Sequence, residues 1–485
     1  MLILFTISAL IVMCLSTAAY SQSTSREGMS DLLNPGFNSV TNSSGDHFAI
    51  NRLIAEIPLE YPDLYDMDFA VQYALVNNHK LNQLREEIEA AYASERYASL
   101  IYYPSLQLSA TASSSGPAQS FEITGPDGMP ISQEISTTDI ISQGSLTLNQ
   151  PVYLFGAGSL ARRGASLELQ NSLLAYERAV ETITNEVETA FLNAALTRAL
   201  VGVSEQAVST AEERLRIANV RYDTGDVAYF EVLRAEVSLA TSQEELLQAQ
   251  TNAELALSSL SQKMGQDMSA DMEIVPPDPD SIEPVEIDIS LDEAIGNALE
   301  NRKDLQILEN AISLAEVGKL SLRNRPTLAL SGNYAYQDTV TGFGDKDSWR
   351  VLLNLSYTLF DSGRSSAQTD SAESQKNALE EQLEETKSVV ALQVENAYLK
   401  YNEAIERITV SGRTVDSAAE ALRIAELGYR EGVITYLDYQ DSDLQHRKAE
   451  TLYLQAVYSW LIADSNLKAT LGVNEGTQRA IIFSD

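Results

Sequence analysis

The chain has 485 residues, and its 69 acidic side chains outnumber 33 lysines and arginines, for a formal charge of −36. That balance excludes a nucleic-acid partner, whose affinity comes from neutralised phosphates; it suits a solvated acidic surface or a lumen that draws in cations. One cysteine, Cys14, and three scattered histidines, His47, His79 and His446, argue against a disulfide framework, a thiolate metal site or a histidine triad, and no cofactor is implied.

Residues 1–21 are an apolar run that ends in small residues, Ser16-Thr17-Ala18-Ala19-Tyr20-Ser21. They read as a secretory signal peptide cleaved near Ala19 or Ser21. The lack of Lys or Arg at the start leaves a retained anchor open. Ile11-Val12-Met13 is a poor context for lipidation of Cys14. Beyond Ser21 nothing approaches the ~18 uninterrupted apolar residues of a spanning helix, so any membrane crossing must use strands. Residues 22–65 are Ser-, Asn- and Gly-rich and read as an irregular extension.

A first repeat occupies 66–265. Asp68–Asn78 and Leu81–Ile101 are predicted helices, the second ended by Pro104, which cannot continue the hydrogen-bond ladder. The apolar period then drops from about 3.6 to 2. In Ser105-Leu106-Gln107-Leu108-Ser109-Ala110 the even positions are apolar. Ser115–Gln133 reads as a loop, and alternation resumes in Ser145-Leu146-Thr147-Leu148-Asn149, giving a β-hairpin over 104–153. A long helical hairpin follows over 160–264: Leu160–Tyr222 without a proline, a turn at Asp223-Thr224-Gly225-Asp226, and a return helix Val227–Met264. Residues 266–289 form an acidic linker with Pro276, Pro277, Pro279 and Pro284.

The second repeat, 290–472, has the same order. Helices are predicted at Ser290–Asn301 and Leu305–Arg323, the latter ended by Pro326. A β-hairpin covers 326–360 with a loop at Asp338–Asp347, and a long helical hairpin covers 364–471 with its turn at Arg430–Val433. Residues 473–485 are a tail. Shifted by 207 residues, Arg216-Ile217-Ala218 falls on Arg423-Ile424-Ala425, Tyr222 on Tyr429, Gly225 on Gly432, and Gly265 on Gly472. Heptad drift would favour multiples of seven, and 207 is not one.

Strands of roughly 10 residues with small polar groups on the alternate face fit a transmembrane β-strand. Only closed barrels let strands span lipid, and the smallest have about 8 strands, so four cannot close. The predicted fold is therefore mainly α with a membrane β-barrel. Three chains would join as a homotrimer, giving a 12-stranded barrel and a tube of long coiled-coil helices. The alternative is a secreted or periplasmic coiled-coil scaffold without a pore, which leaves the proline-started hairpins unexplained. The many Asp/Glu pairs read as solvated helix faces, not as acid–base catalysts.

The repeat, with Gln150-Pro151-Val152-Tyr153-Leu154-Phe155-Gly156 at a strand-to-helix junction and Tyr222-x-x-Gly225 and Tyr429-x-x-Gly432 at the turns, resembles the TolC-type outer-membrane efflux proteins. The resemblance covers about Asp66 to Gly472. It implies an exit duct in the outer-membrane lipid, extended into the periplasm and served by a periplasmic adaptor and an inner-membrane transporter. It further implies an acidic aperture, with Asp438 and Asp441 at the family's positions in the second repeat and Glu231 at the first position in the first. Arg234 stands at the second position there and is able to pair with Glu231. Tyr429 matches a tyrosine that helps hold the tip closed. Tyr222, Gly225 and Gly432 mark the tips that would dock the adaptor, flanked by apolar Val227, Val433 and Ile434. The family's basic residue two positions after the second Gly is replaced by Ile434, so the resemblance leaves the closing ion pair of the aperture open.

Overall fold

The computed structural model describes residues 65–115, 119–124, 130–135, 139–266, 273–279, 282, 284–339, 347–431 and 433–472. The signal, all of the extension but Tyr65, the tail and Gly432 lie outside these residues.

The elements run α1 (Met67–Asn77), α2 (His79–Ser99), β1 (Ser105–Ser115), β2 (Gln119–Thr124), β3 (Pro130–Ile135), β4 (Asp139–Tyr153), α3 (Ala157–Asp223), α4 (Tyr229–Met264), α5 (Leu291–Asn301), α6 (Lys303–Ser321), β5 (Thr327–Thr339), β6 (Asp347–Ser356), α7 (Arg364–Arg430) and α8 (Tyr436–Leu471). The long helices α3 and α7 have 67 residues each, and α4 and α8 have 36 each. At 1.5 Å per residue, 67 residues rise about 100 Å. Both pairs of helices begin and end at positions 207 apart, so the repeat is kept to the residue.

Two boundaries differ from the sequence expectation. The helices before the hairpins stop at Ser99 and Ser321, well short of Pro104 and Pro326. Tight i→i−3 bonds finish them: Leu100 N–H to Tyr97 O, Ile101 N–H to Ala98 O, Leu322 N–H to Lys319 O and Arg323 N–H to Leu320 O. Such turns take up the orphan carbonyls of a helix end before the chain extends towards a proline. The second difference is that Ser115–Gln133 is not simply a loop. It contains β2 and most of β3, paired antiparallel with Phe121 opposite Gln133 and Ile123 opposite Ile131.

The chain forms two compact units, each built from both repeats. One gathers Ala91–Leu169 and Ser313–Lys376 and holds an antiparallel sheet in the order β1-β4-β5-β6. Its register sets Leu106 opposite Leu148, Leu146 opposite Tyr334, and Tyr334 opposite Trp349. These residues share one face, and Leu108, Trp349 and Leu353 on it are 77%, 75% and 66% exposed. The other face carries Ser109, Ser145, Thr147 and Asn333, joined by a 2.7 Å contact between the Ser109 and Ser145 hydroxyls and a 2.9 Å bond from Asn333 Nδ2 to Thr147 Oγ1. An apolar face left open and a polar face bonded within itself suit lipid on one side and water on the other. Among the described residues no helix is long and apolar enough to cross a membrane.

The second unit is helical and holds two cores that repeat each other. In the first, Ala70, Ala74 and Leu81 of α1 and α2 meet Ile183, Val187 and Ala194 of α3 and Leu260 and Met264 of α4. In the second, Ala294, Ala298 and Leu305 meet Val390, Val394, Tyr401, Leu467 and Leu471. Every one of these residues has its counterpart in the other core. Burying such side chains contributes about 1.5–3 kcal/mol each for the larger ones, which is why the spacing of the apolar positions fixes how the short helices seat on the long ones. Tyr401, pushed up to about 12 by burial and then by nearby Asp464, stays neutral and donates its hydroxyl to Val285 O at 2.7 Å.

Each core is closed by a left-handed glycine. Gly265 has φ +76°, and a Cβ there would lie 2.9 Å from Asn77 O. At the turn between α3 and α4, Gly225 has φ +80° with nothing within 4 Å. A non-glycine residue in this region costs of order 1–3 kcal/mol, and at Gly265 the clash with backbone adds to it. Gly265→Ala is therefore expected to lower the unfolding temperature of the purified protein clearly more than Gly225→Ala does. Equal effects would mean that the α1–α4 seat is not sensitive to this contact.

Candidate functional site

The sequence places the candidate site at the turns between the long helices. In the first repeat α3 ends at Asp223, and the turn closes through Gly225 N–H to Tyr222 O at 2.9 Å and Asp226 N–H to Arg221 O at 2.8 Å. In the second, Val433 and Ile434 N–H both reach Gly428 O, at 2.8 and 3.1 Å. The return helix α8 has a side-chain cap: Thr435 accepts from Asp438 N–H at 3.2 Å and donates its hydroxyl to Asp438 Oδ2 at 2.6 Å. Helix α4 lacks one, because Ala228 stands at that place.

Around these turns, arginines of the first repeat meet tyrosines of the second. Arg221 donates from Nη1 to Tyr429 Oη at 2.7 Å, with its guanidinium 5.5 Å from the ring centre. Tyr429 stacks on Tyr439 at 5.5 Å with planes 6° apart, and meets Tyr436 at 5.7 Å. Arg214 lies 4.8 Å over Tyr439, and Arg234 lies 5.9 Å over Tyr436. Cation–π contacts of this kind contribute roughly 0.5–2 kcal/mol, more when desolvated. Burial pushes the Tyr436 hydroxyl above its ordinary value, so it stays neutral, and it accepts from Gln440 Nε2 at 3.1 Å.

Beneath this layer sits a buried ion pair. Arg214 Nη2 and Asp443 Oδ1 are 3.0 Å apart, with side chains 9% and 11% exposed. Asp443 also meets Arg447, Nε to Oδ2, at 3.2 Å. Burial works against the Arg214 charge, but Asp443 and Tyr439 beside it more than offset this and hold the guanidinium above its ordinary value.

Asp438 is exposed and Asp441 is exposed, both on the first turns of α8, where the Asp438 carboxylate accepts from the hydroxyl of the capping Thr435. Tyr429 is in the tyrosine layer, as a partner of Arg221. Glu231 pairs loosely with Arg234, Oε1 to Nη1 at 3.9 Å. Tyr222 packs on Tyr229 at 5.4 Å. Val433 is 82% exposed, as expected, but Val227 and Ile434 are half-buried. Ile434 folds back towards Gly428, where an added Cβ would come within 2.6 Å of its Cδ1. Further exposed apolar side chains lie on α4, at Tyr229, Phe230, Leu233 and Val237, and at Leu437 of α8. Arg214, Tyr439 and Asp443 escape the sequence reading. A signal exists: their counterparts 207 residues away are Ala421, Val232 and Glu236, so they mark positions where the two copies differ.

An open-edged sheet with one face apolar and one polar, joined to a duplicated pair of very long helices, defines the subunit of an oligomeric membrane channel. The outer membrane efflux protein model matches residues 70–266 and 294–473, and the chain belongs to that family. Its members are trimeric outer-membrane exit channels that work with an adaptor and an inner-membrane pump. The chain is 22% identical over 416 residues to nodulation protein T of Rhizobium leguminosarum bv. trifolii, covering 83% of this chain and 85% of that one. It is 25% identical over 426 residues to outer membrane protein OprJ of Pseudomonas aeruginosa, covering 85% of each. The fold is shared with the Campylobacter jejuni CmeC outer membrane channel, at a TM-score of 0.70 and 18% identity, covering 84% of this chain and 85% of that one.

The ion pair beneath the tyrosines can be tested by removing its members singly. Breaking a buried pair from one side costs about 3–5 kcal/mol, because the other charge is left uncompensated. Asp443→Ala strands Arg214 and is expected to destabilise by that amount in denaturant unfolding. Arg447→Gln removes the more exposed partner and is expected to cost less than about 1 kcal/mol. Equal losses would show that Arg214 does not depend on Asp443.

Proposed function

We propose that this chain forms an exit duct whose aperture is set by the start of α8. Three copies bring Asp438 and Asp441 around one axis as two stacked acidic rings, with Glu231 nearby and Tyr429 holding the tip through Arg221. The duct spans the outer membrane and its helices extend into the periplasm. The turns at Tyr222, Gly225 and Gly432 receive a periplasmic adaptor, whose helical hairpins lie against the exposed apolar side of α4 by helix-in-groove contact. An inner-membrane transporter drives cargo through. One observation carries the reading of the aperture: both carboxylates stand exposed at the head of α8, while the neighbouring arginines are engaged with tyrosines and with Asp443.

Carboxylates about 4 Å apart repel by roughly 1 kcal/mol in water and about 4 kcal/mol at an effective dielectric of about 20. Multivalent cations relieve that repulsion. In a planar bilayer, trivalent cation added on the tip side is expected to block the wild-type current and to have little effect on the Asp438→Asn, Asp441→Asn double variant. Cation selectivity is expected to fall in the same variant, with the difference largest at low salt. Equal block of both proteins would mean that these carboxylates do not line the constriction.

Docking has a separate test. Bulky residues at Gly225 and Gly432 are expected to abolish export while the trimer still assembles. Export at the normal level would remove the turns from the adaptor interface.

A further inference from the structure

The polar face of the four-stranded sheet carries a single charge. Over 105–113, 143–149 and 327–337 its positions hold only Ser, Thr, Asn, Gln and Ala. On β6 the apolar face takes Trp349 and Leu353, so the polar face takes the even positions, where Arg350 stands between Ser348 and Leu352. One row of the register crosses all four strands at this level. Gln107 faces Thr147, Thr147 faces Asn333, and Asn333 faces Arg350. Asn333 is held by Thr147 at 2.9 Å. Arg350 is exposed, and among the described residues no hydrogen bond or ion pair engages it. The nearest carboxylate on β6, Asp347, falls on the opposite face, paired with Tyr336. The counterpart of Arg350 in the first repeat is Gln143, so this charge too belongs to one copy alone.

Trimer closure does not supply a partner. Strand β6 is an edge of the sheet, and the edge it meets in the next copy is β1. Side chains that share a face keep it across a ladder, since a slip of one residue would turn every lipid-facing side chain inward. Only the odd positions of β1 can therefore come beside Arg350, and from Ser105 to Ser113 all are neutral. Strands tilted by about 35–45° with about 3.3 Å per residue place Arg350 about 15 Å above the helix-side end of β6 at Ser356, within an apolar band about 25 Å tall. A charge at that depth faces water only through the lumen. Twelve strands about 4.8 Å apart at this tilt close with a radius of about 11–13 Å. Extended arginines reach far into that radius, so three of them stand about one Debye length apart, about 10 Å at 0.1 M salt. Like charges at this spacing, lining a narrow polar tube, raise the local concentration of counter-ions. A guanidinium fork grips carboxylate and phosphate oxygens in pairs.

We propose that the three Arg350 side chains form a cationic ring inside the barrel that binds multivalent anions on their way out. The ring rests on the trimeric channel, and the test separates the two. Trimer mass in mild detergent and conductance are measured first; their absence in the wild type would sink the channel itself. In a planar bilayer, inorganic tripolyphosphate added on the barrel side is expected to block the wild-type current and to need a several-fold higher concentration against Arg350→Gln. Arg350→Lys keeps the charge and is expected to keep most of the block. In a salt gradient the reversal potential of Arg350→Gln is expected to shift towards that of a more cation-selective pore, less so at high salt. Trivalent-cation block from the tip side is expected to be the same in Arg350→Gln as in the wild type; a change there would merge this site with Asp438 and Asp441 and overturn a separate ring. Cys14 is the chain's one cysteine and lies in the expected signal, so Arg350→Cys reports cleanly. It is expected to react with a charged, membrane-impermeant methanethiosulfonate and to change the conductance as it does. Equal tripolyphosphate block of wild type and Arg350→Gln, or a conducting Arg350→Cys trimer that does not react, would overturn the ring and leave the channel intact.

Discussion

A backbone amide in hydrocarbon has no water to bond, and each one left unpaired costs several kcal/mol. The four-stranded sheet of this chain has β1 and β6 at its edges, and among the described residues no further strand pairs with either. The larger features follow from satisfying those two edges. Closure through three copies is the family's solution, and it sets which face meets lipid and which meets water.

Duplication supplies the rest of the frame. The two helical cores match residue for residue, from Ala70 and Ala294 to Met264 and Leu471, and the four long helices share their limits at one offset. A common packing scheme lets one sequence pattern be used twice. It also gives the trimer six similar helical pairs, from which a tube is more easily closed than from unlike parts.

Most of this frame is legible in the sequence because it is periodic. The change of period at Pro104 and Pro326, the proline-free stretches and the shared glycines locate nearly every element. What escapes detection lacks a period. The tyrosine–arginine layer is made from residues hundreds of positions apart, Arg221 with Tyr429 and Arg214 with Asp443, and no local pattern announces such a contact. The β2–β3 pair is hidden because turn composition, Gly116-Pro117 and Gly125-Pro126 above all, outweighs two short alternations in Ser115–Gln133. Asp438 is found for its place after the glycine, and the structure adds a bond from the capping Thr435 hydroxyl to its carboxylate that its sequence position alone does not reveal.

The departures from symmetry carry the specific behaviour. Where the copies agree, they share one packing scheme. Where they differ, a charge is gained or reversed or an insertion appears: Arg214 against Ala421, Arg221 against Gly428, Arg234 against Asp441, and 15 extra residues in one hairpin. Both groups of differences flank the same helix, α3, one before its start at Ala157 and the other around its end at Asp223. A perfectly duplicated chain would put arginine opposite arginine at the tip, and six like charges would repel where a closed end must form. Giving Arg214, Arg221 and Arg234 to the first copy alone lets them meet Tyr429, Tyr436, Tyr439 and Asp443 of the second, which turns that repulsion into attraction. The same division leaves Asp441 where the first copy has Arg234, so the acidic character of α8 and the closure of the tip arise from a single asymmetry.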